Sequence, residues 1–269
     1  MWCIQSTPLL IGCDMTTIPE KSLDLLKNKC LICINQDPLA LQAHVVKVAD
    51  GVYLYVKDML TLNGTIRAVA IYNPTDSDRI FSLNMADVDL EGKVKVLDAF
   101  TQKELNDIST GTMQVDVQRH DTRIFLLAGE KRKQRTVYEA ETAWLERFQC
   151  LGKNNNLGYA AYSDDSICSG GGKVEWLGNN KDNYMEWRNI FSKKDGTYTM
   201  TLSYISDEDK SVFCSVNGGK KFEIKTPGND KSIVKSVKHR IRLKKGMNTI
   251  RIGNANAWCP DIDKITITK

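Results

Sequence analysis

Glu139 and Glu141 stand two residues apart in Val137-Tyr138-Glu139-Ala140-Glu141, so on an extended strand both carboxylates emerge on one face. Asp261 and Asp263 repeat that spacing near the C-terminus. Like charges held close are costly unless a cation or a basic residue sits between them. Calcium is the cation that suits such a set, because it takes several hard oxygen ligands in a flexible shell. Spacing alone equally describes two solvated strand faces balanced by lysines such as Lys264.

A second constellation has the residue types of sugar recognition, which needs an aromatic face against C–H surface and amides or carboxylates for hydroxyls. Asn254, Asn256, Trp258 and Asp261 supply these in one loop, and Tyr159 and Tyr162 lie with Asn154, Asn155 and Asn156 in another. The alternative for Trp258 is a ring that covers a sheet edge. Trp176 and Trp187 fall within alternating runs and are expected in the core or on a sheet face. Lys238, Arg240, Arg242 and Lys244 form a basic stripe on one face of a strand whose other face carries Val237, His239, Ile241 and Leu243. That stripe reads as a solvated face protecting a sheet edge, and His239 as a core or rim residue. His44 and His120 have no neighbours in sequence that suggest metal or acid–base work.

These residues need a scaffold, and the chain is long enough for two cores. It has 269 residues, 42% hydrophobic and 26% charged, ordinary values for a globular protein. A net charge of +4 does not imply nucleic-acid binding, and no stretch has the apolar length of a membrane span. Of eight cysteines, Cys30 and Cys33 have zinc or redox spacing without the second pair that a zinc ribbon needs. They are expected to alternate within an apolar strand. Cys214 reads as a core residue, and Cys150, Cys168 and Cys259 could pair in an oxidising compartment.

Three regions follow. In residues 1–40, Leu9-Leu10-Ile11 predicts a doubly buried strand. Pro19 opens a helix with Leu23 and Leu26 on one apolar stripe and Leu25 on its flank, ending near Asn28. One βα unit cannot stand alone, since its strand needs neighbours and its helix a sheet to cover. Residues 41–130 hold short alternating runs separated at Asn63-Gly64, Asn73-Pro74, Glu91-Gly92 and Thr110-Gly111, the pattern of an antiparallel β-sandwich. Glu130-Lys131-Arg132-Lys133-Gln134-Arg135 is apolar-free, so residues 131–136 are expected to be a basic linker. Residues 137–269 predict about eight strands, with a hairpin at Asn217-Gly218 and a tight turn at Gly246-Met247-Asn248, consistent with a jelly roll.

The strings Ser6-Thr7-Pro8-Leu9-Leu10-Ile11-Gly12-Cys13-Asp14 and Ile34-Asn35-Gln36-Asp37-Pro38-Leu39 resemble glycoside hydrolase family 27, the α-galactosidases and α-N-acetylgalactosaminidases. That resemblance makes residues 1–40 the last strand and helix of a (β/α)8 barrel and residues 41–130 the antiparallel domain that follows it. It implies that Ile11 walls a galactose pocket. It also implies that the two catalytic aspartates lie on barrel strands this sequence lacks, so the chain alone is expected to be inactive. An extracellular or periplasmic location is expected for the intact protein. Residues 137–269 resemble carbohydrate-binding module families 6 and 35 through Tyr138-Glu139-Ala140-Glu141, Ser169-Gly170-Gly171-Gly172, Val216-Asn217-Gly218 and Asp261-Ile262-Asp263-Lys264-Ile265. This implies that Glu139, Glu141 and Asp263 hold a structural calcium. It also implies a carbohydrate site on end loops, with Trp258 as its aromatic and Asp261 where asparagine is common. The expected partner is a galactoside-containing glycan or plant polysaccharide, with no nucleic acid and no membrane span.

Overall fold

The computed structural model describes residues 1–61, 64–109, 111–149 and 157–269. Asn63, Thr110, Cys150, Asn154, Asn155 and Asn156, which figure in the expectations above, lie outside the described residues. The chain forms two compact units, Met1–Lys133 and Gln134–Lys269.

The first unit begins with two short helices, α1 (Glu20–Leu26) and α2 (Lys29–Asn35). Eight strands follow: β1 (His44–Ala49), β2 (Val52–Asp58), β3 (Ile66–Asn73), β4 (Arg79–Asn84), β5 (Leu90–Asp98), β6 (Lys103–Ile108), β7 (Thr112–Val117) and β8 (Asp121–Arg132). Six of them make an antiparallel sheet in the order β1-β2-β3-β8-β5-β6, and β4 pairs with β7. Val69 and Ile71 of β3 join the core that contains Phe81 and Leu83 of β4. The alternate residues Ala68 and Ala70 pack with Ile124, Ile4 and the α2 residues Cys30, Leu31 and Ile34. The central strand is therefore buried on both faces, which explains its nearly continuous apolar run. Glu91-Gly92, expected as a turn, lies inside β5 at a register shift against β8, with Gly92 at φ +79. Glycine there accommodates a bulge rather than ending the strand.

The first forty residues depart from the expected βα unit. Leu9, Leu10 and Ile11 form no strand and are 40%, 84% and 53% exposed. With no strand beside them, their backbone groups must stay in water. The helix after Pro19 forms, yet it buries none of its residues. Asn28 does not merely end it. The Asn28 Oδ1 accepts from the Leu31 N–H at 3.0 Å, and its Nδ2 donates to the Ala99 and Phe100 carbonyls at 2.9 and 3.0 Å. This cap turns the Cys30–Cys33 stretch, expected as a strand, into α2, with Cys30, Leu31 and Ile34 on its buried face and Cys33 exposed. At the other end of α2, the buried Lys57 Nζ donates to the Ile34 carbonyl and to Ser6 Oγ, a cation where helix carbonyls lack partners.

Lys131 and Arg132 of the expected basic linker belong to β8. Arg132 is 5% exposed, and its Nη1 lies 2.7 Å from Asp58 Oδ1. Arg67 completes the network at 3.3 Å from Asp58 and 2.6 Å from Asp89.

The second unit holds β9 (Val137–Glu139), β10 (Trp144–Leu145), β11 (Ala161–Asp164), β12 (Gly172–Glu175), β13 (Tyr184–Ser192), β14 (Gly196–Ser206), β15 (Lys210–Val216), β16 (Phe222–Thr226), β17 (Asp230–Leu243), β18 (Gly246–Gly253) and β19 (Asp261–Thr268). They form two antiparallel sheets, β10-β13-β18-β15-β16 and β11-β12-β19-β14-β17, with β9 paired to β19. Between them lies one core that includes Trp187, Met185, Leu202, Cys214, Ile250 and Ile265. Asn217 and Gly218 take φ +51 and +68 in the β15–β16 hairpin, the left-handed turn that their types predict. Among the described residues no helix is long and apolar enough to cross a membrane.

Candidate functional site

Glu139 ends β9, but Glu141 sits in a single 3-10 turn, Ala140–Thr142, so strand alternation is not what brings them together. The turn is pinned by two bonds to the Glu139 carbonyl, from Trp187 Nε1 at 3.0 Å and Thr142 Oγ1 at 2.8 Å. Both carboxylates then close on the Ser169–Gly171 loop. A Cβ on Gly170, which has φ +69, would lie 2.6 Å from Glu141 Oε1 and 3.7 Å from Glu139 Cδ. Ser169 links two acids, its N–H donating to Asp263 Oδ1 and its Oγ to Glu139 Oε1, each at 2.7 Å. Glu139 Oε2 and Glu141 Oε2 are buried without a hydrogen-bond partner. Burial, with Glu139 and Asp263 nearby, pushes the Glu141 carboxyl above its ordinary value. Burial, with Asp165, does the same to Asp263, whose nearest cation is Lys264 at 3.9 Å. Two orphaned carboxylate oxygens beside a glycine cradle suit a hard cation. Among the described residues, no three His, Cys, Asp or Glu side chains are already gathered at metal-ligand spacing.

The second feature is a pair of tryptophans on two zipped loops. Gly178 and Trp258 form an isolated antiparallel bridge. The Asn179 and Cys259 N–H groups donate to the Ala257 and Leu177 carbonyls, both at 2.8 Å. Gly178 has φ +96, and a Cβ there would lie 2.5 Å from the Ala257 carbonyl oxygen. Trp258 meets Trp176 edge to face, with centroids 5.7 Å apart and planes at 84°. Trp176, expected in the core or on a sheet face, is instead a turn residue at φ +59 and 44% exposed. Trp187 is fully buried, as expected. Asn183 is also buried. It donates to the Trp176 and Gly178 carbonyls at 2.8 and 2.7 Å and accepts from the Ala160 N–H at 3.0 Å. Neither Trp176 nor Asn183 was singled out from sequence for this site. The only signal was the turn-rich Gly178-Asn179-Asn180 that follows Trp176.

The same two loops border a cavity of about 220 Å³ lined in part by Asn180, Asn183, Tyr184, Phe213, Arg251 and Asn256. Arg251 lies 3.9 Å above the Tyr184 ring and its Nε is 2.9 Å from Glu186 Oε2.

The other expected sugar-binding residues are dispersed. Asn254 is buried, its amide donating to the Ser211 carbonyl at 3.2 Å and accepting from the Asn256 N–H at 3.1 Å. Its polar atoms shape the loop. Asn256 is exposed at the cavity. The Asp261 carboxylate is neutralised by Lys173 at 2.9 Å, which also reaches Asp165 at 3.2 Å. Tyr159 carries the Arg147 guanidinium 5.6 Å over its ring. Tyr162 stands in the groove beside Glu141 and Gly170–Gly172. Its hydroxyl donates to the Ala143 carbonyl at 2.7 Å, and burial pushes the phenol up to about 12. Ile11 lies in irregular backbone. His239 stacks on Phe222 at 4.3 Å, a rim position, and His120 Nε2 lies 2.9 Å from Asp76. Cys168 and Cys259 are buried free thiols, each pushed up to about 12 by burial.

Comparison with known proteins finds a likeness over part of the chain. Residues 50–127 match the alpha galactosidase C-terminal beta sandwich domain. Alpha-galactosidase 3 of Arabidopsis thaliana is 27% identical over 129 residues, covering 47% of this chain and 30% of that protein. The chain thus spans about 30% of the length of this curated relative. Among solved structures, isomalto-dextranase of Arthrobacter globiformis T6, complexed with panose, superposes on 99% of this chain and 46% of its own. Its TM-score is 0.58 at 15% identity, which is a likeness of fold alone. A family 35 carbohydrate-binding module from Clostridium thermocellum aligns with 49% of this chain and 98% of its own, at 29% identity and a TM-score of 0.43.

Proposed function

We propose, from the match of residues 50–127 to the alpha galactosidase C-terminal beta sandwich domain, that the chain serves such a glycoside hydrolase as its carbohydrate-binding part. The second unit is the binder. The observation that carries this reading is the half-exposed Trp176–Trp258 pair on two loops that also border a cavity with both polar and apolar walls. A tryptophan face suits the C–H surface of a sugar ring, while Asn180 and Asn256 offer amides to its hydroxyls. The cavity is smaller than the roughly 300–1,000 Å³ of drug-sized sites, a size for one terminal sugar rather than a chain.

Calcium belongs to the same reading, held by Glu139, Glu141 and Asp263. It would neutralise three acids, of which Asp263 has Lys264 at 3.9 Å, and tie β9 to β19 through the Ser169 loop. Calorimetric titration with galactose-containing oligosaccharides tests the binding. Heat that vanishes in Trp258→Ala supports it, and absence of binding in both calcium and chelator overturns it.

A second reading is hydrolysis of terminal α-galactosides when these units accompany a catalytic barrel. The match at residues 50–127 favours it. Retaining chemistry needs two carboxyl groups roughly 5–5.5 Å apart across a substrate cleft, and we assign no such pair to this chain. A chromogenic α-galactoside discriminates: turnover by this chain alone would refute the assignment.

A further inference from the structure

The proposed sugar site leaves unused the basic stripe on β17. This strand is the edge of its sheet. Lys238, Arg240 and Arg242 are all exposed, and their partners across the ladder on β14 are Thr201, Thr199 and Thr197. The next strand continues the same rows, with Thr266 opposite Thr201 and Thr268 opposite Thr199. The face is therefore one row of cations followed by two rows of hydroxyls. Among the described residues none of the three cations has a carboxylate within ion-pair distance, whereas Lys231, at the far end of the same strand, is held by Asp207 at 2.9 Å. The inward residues Ile241 and Leu243 are buried, so the strand cannot turn its cations away.

We propose that this face is a docking strip for a linear anionic polysaccharide, whose carboxylate or sulfate groups meet Lys238, Arg240 and Arg242. Alternate residues on a strand lie roughly 6.7 Å apart, which presents the three charges in line to a ligand with charges repeated along its length. Arginine can take a carboxylate or sulfate with two parallel N–H bonds, and the threonine rows offer hydroxyls to an uncharged backbone. The choice of a polysaccharide over another polyanion rests on the glycan-binding reading above, and on the absence of an aromatic side chain from these rows on which bases could stack. Edge lysines also keep sheets from pairing, a role that would show as self-association when they are removed.

The test compares the full chain with Lys238→Gln/Arg240→Gln/Arg242→Gln. Probes are polygalacturonate, dextran sulfate, neutral galactooligosaccharide and duplex DNA. Wild type is expected to bind one or both polysaccharide anions, with affinity falling at least tenfold from about 50 to about 300 mM salt. The triple variant is expected to lose at least tenfold while its circular dichroism spectrum and melting temperature stay unchanged. The polygalacturonate and dextran sulfate arms separate carboxylate from sulfate. Equal binding of both polyanions by variant and wild type overturns the proposal, as does tighter binding of DNA than of either. Self-association of the variant with polyanion binding unchanged would leave only edge protection and also overturns it. Loss of galactooligosaccharide binding in Trp258→Ala with polyanion binding intact separates this strip from the tryptophan site. A failure there leaves the strip standing.

Discussion

Trp176 and Trp258 come from loops 82 positions apart and meet edge to face at 5.7 Å. The contact depends on the bridge between Gly178 and Trp258, so backbone pairing, and not only ring packing, sets the aromatic surface. Removing either ring should weaken glycan binding. Trp258→Ala is expected to cost about 2 kcal/mol, some 30-fold in Kd. Trp176→Ala should cost less, through loss of the ring that orients its neighbour. Titration calorimetry measures both, and an unchanged Kd in Trp258→Ala excludes this surface.

Gly178→Ala should damage the same surface from beneath. Its φ of +96 and the 2.5 Å approach to the Ala257 carbonyl leave no room for a methyl group. A destabilisation of about 2 kcal/mol and weakened glycan binding are expected. Thermal unfolding and titration of the one variant read the two effects.

Calcium should raise the melting temperature of the second unit. At 100 times Kd a ligand adds about 2.7 kcal/mol, or roughly 10 °C for a unit of this size. Glu141→Gln should reduce the response to calcium and stabilise the calcium-free protein at neutral pH, because it removes a buried charge beside Glu139 and Asp263. A calcium response equal to wild type would remove Glu141 from the ligand set.

In chelator, the Glu141–Asp263 cluster and the Asp58 network should contribute to stability with opposite dependence on pH. Glu141 and Asp263 are raised from ordinary values of 4.5 and 3.8. Their contribution is complete below those values and is lost as pH rises through the raised ones. Asp58 is lowered from 3.8, because Arg67 and Arg132 outweigh the effect of its burial. Its contribution is present above 3.8 and is lost as pH falls through the lowered value. Calorimetry of wild type and Glu141→Gln at about pH 3, 4 and 7 should show the cluster's contribution as the difference between the two proteins.

Asp58→Ala should destabilise the first unit by about 3–5 kcal/mol, since it leaves two buried guanidinium groups short of a counter-charge. Denaturant unfolding measures this. A change below about 1 kcal/mol would mean that solvent reaches the network.

Much of the fold was legible because alternation survives wherever one sheet face is buried, as in Val212, Cys214 and the Asn217-Gly218 hairpin. The described residues of 137–269 hold eleven strands where about eight were expected, and in the first unit β6 shows why such strands are hard to read. Lys103–Ile108 places only Ile108 in the buried class, so no apolar period marks β6. The N-terminal strand was expected because Leu9-Leu10-Ile11 is apolar, but apolar residues make a strand only where another strand receives them. The acids were legible as types, while their convergence depends on a 3-10 turn and a glycine loop. Trp176 was hidden because an aromatic beside a strand reads as core until its positive φ is known.

The Asn28 side chain both caps α2 and bonds two carbonyls after β5. The limit of the first unit as a folding body is therefore not where its β pattern starts. A shortened chain beginning at residue 41 would bare Ala68, Ala70 and Ile124 and strand Lys57 without the Ile34 carbonyl. Such a truncation should aggregate, whereas one that retains residues 1–40 keeps the sheet's second face covered.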